Sequence, residues 1–371
     1  MKKHFYFENL DGFRFFCFLS VFFYHCFHTE HLEIKQNSIY HFVKKVLVVN
    51  GCLGVNFFFV LSGFLITYLL IEEKRLNGQI NLINFYTRRT LRIWPLFFLC
   101  VFFGFCIFPY LKLAQGEVSE ANATLPAYFT FTNNFEFIYK GVPDCTVLSV
   151  LWSIAIEEQF YLVWPIIIYF VPVNKLYIPF LSVIIVSIVF RYFNFSYEMH
   201  EFHTLSCMGD LSVGATAALL MLTSKKFETQ IKNLNQTSIY FVYIIFILIY
   251  FFRQPVLWPN PNIRIFERLF IAIILALIIL EQSFSSHSFF KMSKLKNISS
   301  LGKYTYGMYC LHFIGIIIST NLNKKLNLNT ELWQVLILDT LFAFLITIGI
   351  SKLSYDYYEK PFLKLKERFS A

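Results

Sequence analysis

Arg14 and His25 have the residue types and the spacing that most directly suggest chemistry in this sequence. Arg14 stands at the start of the apolar stretch FRFFCFLSVFFYHCF, and His25 lies deep within it. Eleven residues make about three helical turns, or ~16 Å of rise, so both side chains are expected on one face of a helix. An ionisable residue inside a membrane helix is costly and marks a functional site by default. We therefore predict a cation at one rim of the bilayer and a proton-transfer group near its middle.

His25 is the first candidate for the reacting group. An imidazole titrates near neutrality, so it can take a proton from a hydroxyl group or carry an acyl group transiently. The sequence does not separate these two routes. The alternative is a neutral histidine that is hydrogen-bonded to a neighbouring helix, and the presence of Arg14 on the same face favours the functional interpretation.

A second basic cluster consists of Arg88, Arg89 and Arg92. Arg89 and Arg92 are three residues apart and are therefore neighbours on one face of a helix. Guanidinium groups bind phosphate bidentately, and this pair is predicted on the same cytoplasmic side as Arg14. The alternative is ordinary positive-inside charge that faces lipid headgroups. Convergence with Arg14 favours a phosphate-bearing ligand at the inner side of the membrane.

Glu157 and Glu158 interrupt the otherwise apolar stretch LWSIAIEEQFYLVWP. Neighbouring positions of a helix diverge by about 100°, so both carboxylates cannot line one cavity. One of them is expected to face the centre of the bundle, where it would pair with an arginine or orient a histidine. A buried ion pair that holds helices together is the alternative.

His312 is a second deep imidazole, in the stretch YTYGMYCLHFIG, with Tyr309 three residues before it. A catalytic role and a packing role are both open for it. The cysteines and histidines show no metal-ligand spacing, and P-loop, HExxH, GxSxG and GxGxxG motifs are absent from the sequence. We therefore expect no metal.

The elements that position these residues are predicted to be membrane-spanning helices. Of 371 residues, 57% are hydrophobic and 15% are charged, and the apolar residues fall in runs of about 20. We predict an all-α, polytopic bundle that forms a single domain, 1–371. Its ten helices are predicted at 13–29, 53–71, 93–112, 147–170, 174–192, 204–222, 238–252, 263–281, 301–320 and 332–352.

The topology of this bundle explains the basic character of the chain. The larger share of the Lys and Arg residues falls on one side, which by the positive-inside rule places both termini in the cytoplasm. The net charge of +9 then reflects topology and anionic lipid rather than nucleic-acid binding. Segment 85–92 is predicted to be an amphipathic helix at the interface, and 124–138 a re-entrant or interfacial segment.

A proton-coupled secondary transporter is the rival interpretation from another functional class. Intramembrane His, Glu and Asp residues can relay protons together with a small solute. Transporters often show two related halves with broken helices, and no such internal symmetry is visible in this sequence.

The sequence resembles the membrane acyltransferase-3 family, the integral-membrane O-acyltransferases that modify bacterial surface glycans. The family pattern of a basic residue, ten spacers and a histidine falls on Arg14 and His25. Its Arg-x-x-Arg falls on Arg89 and Arg92, and its Trp-Ser…Glu block falls on Trp152, Ser153 and Glu157. The matching stretches follow family order and span nearly the whole chain: LDGFRFF…FYH at 10–25, GVNFFFVLSGFLIT at 54–67, FYTRRTLRIWPL at 85–96, LWSIAIEEQFYLVWP at 151–165, LGKYTYGMYCLH at 301–312 and SYDYYEKP at 354–361.

This resemblance implies acyl-CoA, most often acetyl-CoA, as a cytoplasmic donor. Its phosphates would lie on Arg14, Arg89 and Arg92, and its pantetheine arm would extend into the bundle toward His25. Glu157 would fix the tautomer of the imidazole, as a carboxylate does in a catalytic triad.

The resemblance also implies a carbohydrate acceptor, a glycan or lipid-linked glycan, and a place in the bacterial cytoplasmic (inner) membrane. His25, Glu157 and His312 are the catalytic candidates in this scheme. Some members of the family carry a C-terminal periplasmic hydrolase-like domain. Because this sequence ends at Ala371, the expectation is a stand-alone transferase whose acceptor stays open.

Overall fold

The computed structural model describes residues 7–114, 116–120 and 122–369, and these residues form helices and loops without a strand. The predicted all-α class is confirmed. In this described part of the chain, ten helices of 14 residues or more build the bundle: α1 Glu8–His25, α2 Leu53–Asn77, α3 Leu82–Phe102, α4 Leu151–Phe170, α5 Tyr177–Phe193, α6 Thr204–Thr223, α7 Gln236–Phe252, α8 Pro261–Phe284, α9 Thr305–Lys325 and α10 Thr340–Leu353.

Three of the described helices, α3, α7 and α10, continue through π-helical turns, and the turn after α7 is Arg253–Leu257. A π-helical turn, Phe103–Ile107, joins α3 to Phe108–Ala114. Similar turns precede and follow α10, and the second leads into a helix that we call the C-terminal helix, Lys360–Glu367. The predicted interface helix 85–92 and the predicted span 93–112 are therefore parts of one continuous helix.

Seven helical stretches among the described residues are long and apolar enough to cross a membrane, and the chain is a multi-pass helical membrane protein by this measure. The predicted segments 13–29, 263–281 and 301–320 form α1, α8 and α9, which carry more charged and polar side chains. The seven apolar stretches are Leu53–Asn77, Leu82–Ala114, Thr146–Phe170, Val173–Phe193, Tyr197–Thr223, Gln236–Leu257 and Gln334–Glu367.

The first helix begins earlier and ends earlier than the sequence predicted. It runs from Glu8 to His25, and the backbone is extended at Cys26. At Phe27 the chain takes a left-handed φ of 66°, and the buried carbonyl of Phe27 accepts a hydrogen bond from Tyr40 Oη at 2.7 Å. These contacts stop the helix, so His25 is its last residue and does not lie several residues inside it.

The segment predicted to be re-entrant or interfacial, 124–138, forms two short helices, Leu125–Phe129 and Asn133–Lys140. Phe131 lies between them, and its ring contacts Phe97 of α3 at 4.7 Å between centroids. Gln159 Nε2 of α4 donates to the Phe131 carbonyl at 2.6 Å. The segment thus packs on the bundle without crossing it.

Helices α2 and α6 approach each other closely at two glycines, Gly63 and Gly214. A Cβ atom on Gly63 would lie 1.8 Å from the carbonyl oxygen of Leu211, and one on Gly214 would lie 1.9 Å from that of Val60. Small residues allow this kind of close approach between membrane helices. The contact holds α2 in place, and α2 supplies one wall of the cavity described below.

Replacing Gly214 by alanine is expected to destabilise the protein by more than about 1–3 kcal/mol, the usual cost of overpacking, because the added methyl group meets backbone that cannot rotate away. Thermal unfolding of the purified protein in detergent measures the effect.

Gly349→Ala is the matched control, since a Cβ atom at this position of α10 meets nothing within 4 Å. Alanine in an open helical position is favourable by up to ~1 kcal/mol. Equal melting temperatures for Gly214→Ala and Gly349→Ala would contradict the packing argument.

Candidate active site

A cavity of about 460 Å³ opens among α1, α2, α3, α4, the start of α9 and the C-terminal helix. Five cationic and three carboxylate side chains line it, so these eight groups carry an excess of two positive charges when all are ionised. They are Arg14, Arg89, Arg92, Lys303 and Lys366, with Asp11, Glu157 and Glu359. The structure therefore brings together the three predicted phosphate-binding arginines and one of the predicted catalytic carboxylates.

Arg14 reaches the cavity from the second turn of α1. Its guanidinium Nη1 donates to Asp11 Oδ1, one helical turn earlier on the same face. The backbone of Gly302, which precedes α9, packs directly against Asp11. Arg14 is thus held at the junction of α1 with the segment that carries Lys303.

Arg89 and Arg92 reach the cavity from α3, as their spacing predicted. The Arg89 guanidinium lies over two aromatic rings, 5.5 Å from the centroid of Tyr161 and 5.7 Å from that of Phe85. Arg92 is exposed and makes no hydrogen bond or ion pair with another described residue. A guanidinium without a partner in a cavity has all of its donors available for an anion.

Arg88 points away from this pair. Its Nη1 donates to the carbonyl of Phe369 at 2.7 Å, and its Nη2 lies 3.3 Å from Glu73 Oε2. The third arginine of the cluster therefore anchors the end of the chain to α3 and does not line the cavity.

Glu157, and not Glu158, faces the cavity. Ser62 Oγ donates to Glu157 at 2.6 Å, whereas Glu158 turns away and accepts from Trp94 Nε1 at 2.8 Å. The expected hydrogen bond from the His25 imidazole to the Glu157 carboxylate is not observed among the described residues: the ring contacts of His25 are with α9 and with Tyr24. The reason is geometric, because α4 meets the cavity beside α2 and not beside the end of α1.

His25 and His312 form a pair of imidazoles beyond the cavity. Their ring centroids are 5.3 Å apart, and His25 also packs on Phe313 at 4.7 Å. His312 Nδ1 lies 2.7 Å from the carbonyl of Tyr309. Because a carbonyl oxygen can only accept, Nδ1 carries the proton in this bond. Nε2 of a neutral His312 then keeps its lone pair, and in the described part of the chain this buried atom has no hydrogen-bond partner.

Tyr309 separates the histidine pair from the cavity. It lines the cavity, and its ring centroid is 6.1 Å from that of His312. Its hydroxyl group lies 2.7 Å from Ser153 Oγ and 3.2 Å from the carbonyl of Val150. The cavity walls include neither His25 nor His312, so the continuous path that the sequence suggested ends at this tyrosine.

Sequence reasoning missed four charged residues of the cavity: Asp11, Lys303, Glu359 and Lys366. Lys303 and Glu359 lie inside two of the stretches that carried the family resemblance. Their place in these stretches could have marked them as candidate site residues. Lys366 lies beyond those stretches, in a basic tail whose charge is equally well explained by the positive-inside rule. Lys366 reaches the cavity only because the C-terminal helix packs on α3, and the sequence pattern does not predict this packing.

A second cluster of buried charges, on α6, α8 and the segments before them, is joined by ion pairs, although Glu267 Oε2 has no hydrogen-bond partner among the described residues. Arg268 Nη2 lies 2.9 Å from Asp210 Oδ2, and Arg253 Nη2 lies 2.8 Å from Glu201 Oε1. Arg253 also pairs with Glu267. Paired buried charges of this kind hold helices in register and leave little capacity for a ligand. Among the described residues, no group of three His, Cys, Asp or Glu side chains is placed to hold a metal ion.

Comparison with known proteins identifies the family of this chain. The model of a family described as an acyltransferase domain matches residues 7–355. The chain belongs to the membrane acyltransferase-3 family.

Curated relatives of this family member are similar over nearly all of its length. The chain is 25% identical over 384 residues to a putative peptidoglycan O-acetyltransferase, YrhL, of Bacillus subtilis, and 26% identical over 381 residues to the O-acetyltransferase OatA of Staphylococcus aureus. Each match covers 97% of this chain, and 55% and 57% of those proteins. A peptidoglycan O-acetyltransferase, OatA, of Listeria monocytogenes is 26% identical, over 85% of this chain and 51% of its own length. The chain thus spans about half the length of the curated relatives it matches. No solved structure matches it.

The different environments of Arg88 and Arg92 predict opposite effects on stability. Arg88→Ala removes hydrogen bonds to Phe369 and Glu73, and we expect a loss of about 1–2 kcal/mol. Arg92→Ala removes a cation that has like-charged neighbours and no bonded partner, so the melting temperature should stay unchanged or rise. Thermal unfolding of the two variants without ligand checks this, and an equal loss of stability in both would contradict the assignment of Arg92 to ligand binding.

Proposed function

We propose that this protein is a membrane O-acyltransferase that moves an acyl group, most simply acetyl, from cytoplasmic acyl-CoA to a hydroxyl group of a surface or exported glycan. The observation that carries the proposal is the convergence of Arg14, Arg89 and Arg92 on one cavity. The names of the relatives, which are peptidoglycan O-acetyltransferases, support a carbohydrate acceptor. In this proposal the protein resides in the bacterial cytoplasmic membrane.

The donor enters with its phosphate groups on the arginines of the cavity. Guanidinium groups match phosphate oxygens bidentately, and Arg92 has its donors free. The flexible arm of the donor then runs along the cavity toward Ser153 and Tyr309, which line the end of the cavity nearest to the histidine pair. The rise from Arg14 to His25 along α1 is ~16 Å, a distance that the pantetheine arm spans.

The acyl transfer takes place at the histidine pair. In the direct route, His25 takes the proton of the acceptor hydroxyl, the oxygen attacks the thioester carbonyl, the C–S bond breaks, and the proton passes to the departing thiolate. In the covalent route, an imidazole nitrogen of His25 attacks the thioester carbonyl first, and the C–S bond breaks to release the thiolate. The acceptor oxygen then attacks the acyl-imidazole, the bond between nitrogen and the acyl carbon breaks, and the proton of the acceptor hydroxyl passes through the imidazole to the thiolate. His312, whose Nε2 is buried without a described partner, acts beside His25 in either route.

Tyr309 is the obstacle on this path. The thioester reaches His25 only when the phenol turns out of its contact with Ser153, or when the donor arm displaces it on binding. Glu157, which lines the cavity before this point, acts in the proposal on the donor side and stabilises positive charge on the neighbouring arginines.

His25→Ala is expected to lower acyl transfer by at least about 10²–10⁴-fold, the usual contribution of a positioned general base, with folded and inserted protein. The measurement is turnover of labelled acetyl-CoA by the purified protein in proteoliposomes. His41→Ala is the control, because His41 is exposed and no described side-chain contact joins it to His25 or His312. Near-normal turnover of His25→Ala would refute the role of His25, and pH-driven uptake of a solute without donor consumption would favour a transporter.

Arg89→Ala is expected to raise the KM for acetyl-CoA with a smaller change in kcat, because uniform binding of the phosphate groups is lost. Initial rates over a range of donor concentrations separate the two constants. Arg75→Ala, at the cytoplasmic end of α2 and outside the cavity lining, controls for a general loss of positive charge. An unchanged donor KM would count against phosphate binding at Arg89.

A further inference from the structure

The cations of the cavity fall into two groups that come from different parts of the chain. Arg14 and Lys303, which we call the first basic group, belong to α1 and to the turn before α9. Arg89, Arg92 and Lys366, the second basic group, belong to α3 and the C-terminal helix. Both groups line the same cavity of about 460 Å³.

The first basic group is tied to Asp11. Arg14 pairs with this carboxylate, and the Gly302 backbone packs against it, which brings Lys303 to the same side of the cavity. Lys303 Nζ lies 4.7 Å from the centroid of the Tyr304 ring. Tyr304 in turn contacts Tyr355 at 5.0 Å, so the aromatic rings hold Lys303 at the cavity wall.

The second basic group is completed by the docking of the C-terminal helix on α3. Tyr358 Oη donates to the carbonyl of Pro95 at 3.1 Å, before this helix begins. Arg88 Nη1 donates to the carbonyl of Phe369, after it ends. Between these two anchors, Lys366 is brought within electrostatic range of Arg92 and Arg89.

Nothing described in the protein neutralises this second group by direct contact. Of the two remaining cavity carboxylates, Glu157 accepts from Ser62 and Glu359 accepts from Ser354 at 2.9 Å. Lys366 and Arg92 take part in no hydrogen bond or ion pair of their side chains among the described residues. Glu157 and Glu359 attract these cations through space without bonding to them, and an anion that contacts the three cations directly relieves the repulsion that remains among them.

We propose that the cavity binds one soluble ligand through two separate anionic groups, one on each basic group, and that Lys366 of the C-terminal helix is a binding residue for the second. This inference rests on the proposed function and narrows its donor: the ligand carries phosphate in two places, as coenzyme A does with its pyrophosphate and its 3′-phosphomonoester. A donor with a single phosphate group, such as an acylated phosphopantetheine, fills only one of the two groups.

The experiment compares coenzyme A with dephospho-coenzyme A, which lacks the 3′-phosphate, on purified full-length protein in nanodiscs. Binding is followed by the shift in melting temperature with ligand concentration. Lys366→Ala and Lys303→Ala should each weaken coenzyme A binding about tenfold, the order expected for one charge-assisted contact. Lys364→Ala, an exposed neighbour on the C-terminal helix that does not line the cavity, should bind as the wild type does.

The two ligands then test the division into two groups. With dephospho-coenzyme A, one of the two lysine substitutions should lose its effect while the other keeps it. The arginine of the same basic group should respond in the same way. If Lys366→Ala no longer weakens binding, Arg92→Ala should not weaken it either, and the same holds for Lys303→Ala and Arg14→Ala. Equal responses of Lys366→Ala and Lys303→Ala to the missing phosphate would overturn the inference.

An anionic lipid headgroup offers the same phosphate chemistry, so the measurements are repeated in nanodiscs of phosphatidylcholine alone and of phosphatidylcholine with phosphatidylglycerol. Coenzyme A binding that depends on Lys366 in pure phosphatidylcholine supports the soluble ligand. If Lys366→Ala changes only the stabilisation of the protein by phosphatidylglycerol, and not the binding of coenzyme A, the proposal of a soluble ligand is overturned.

If the wild type binds and consumes acetyl-CoA while Lys366→Ala matches Lys364→Ala, this inference fails and the proposed function stands. If the wild type does not bind coenzyme A, the proposed function fails as well.

Discussion

Five cations and three carboxylates share one cavity between membrane helices, and the functional account depends on this excess of positive charge. A membrane interior makes unpaired charge costly. Elsewhere in the bundle, the buried Arg253 and Arg268 each form two ion pairs with carboxylates. Arg92 and Lys366 depart from this pattern. Arg92 is exposed and Lys366 is half-buried, so both cations are open to an anionic ligand from the aqueous side, and this is the ligand that we propose.

The bundle separates this charged cavity from the imidazoles that would react. Tyr309 stands between them, and it contributes to both sides: its hydroxyl group contacts Ser153 in the cavity, and its carbonyl holds the Nδ1 proton of His312. In the proposed function, this side chain would close the way between the bound phosphates and the histidine pair until the donor arm enters. Such an arrangement would keep water away from the thioester until the acceptor is in place.

The sequence predicted most of the helices, because apolar runs of this length have few other structures available in a membrane. It also predicted the pairing of Arg89 with Arg92, since helical spacing alone places them on one face. It did not predict the environment of Glu157 or the end of α1 at His25. Ser62 comes from another helix, and the left-handed backbone at Phe27 depends on a contact with Tyr40. Lys366 was missed for the same reason, because its place in the cavity is set by hydrogen bonds of Arg88 and Tyr358 to distant carbonyls.

The most direct test of the central claim is a cryo-electron microscopy structure of the protein with acetyl-CoA in nanodiscs. The account predicts donor phosphates at hydrogen-bond distance, about 2.7–3.2 Å, from guanidinium groups of the cavity. It also predicts the thioester at the inner end, within ~3–4 Å of His25 once Tyr309 has moved. A donor bound outside the cavity, or a thioester that points away from the histidine pair with Tyr309 still closed, would contradict it.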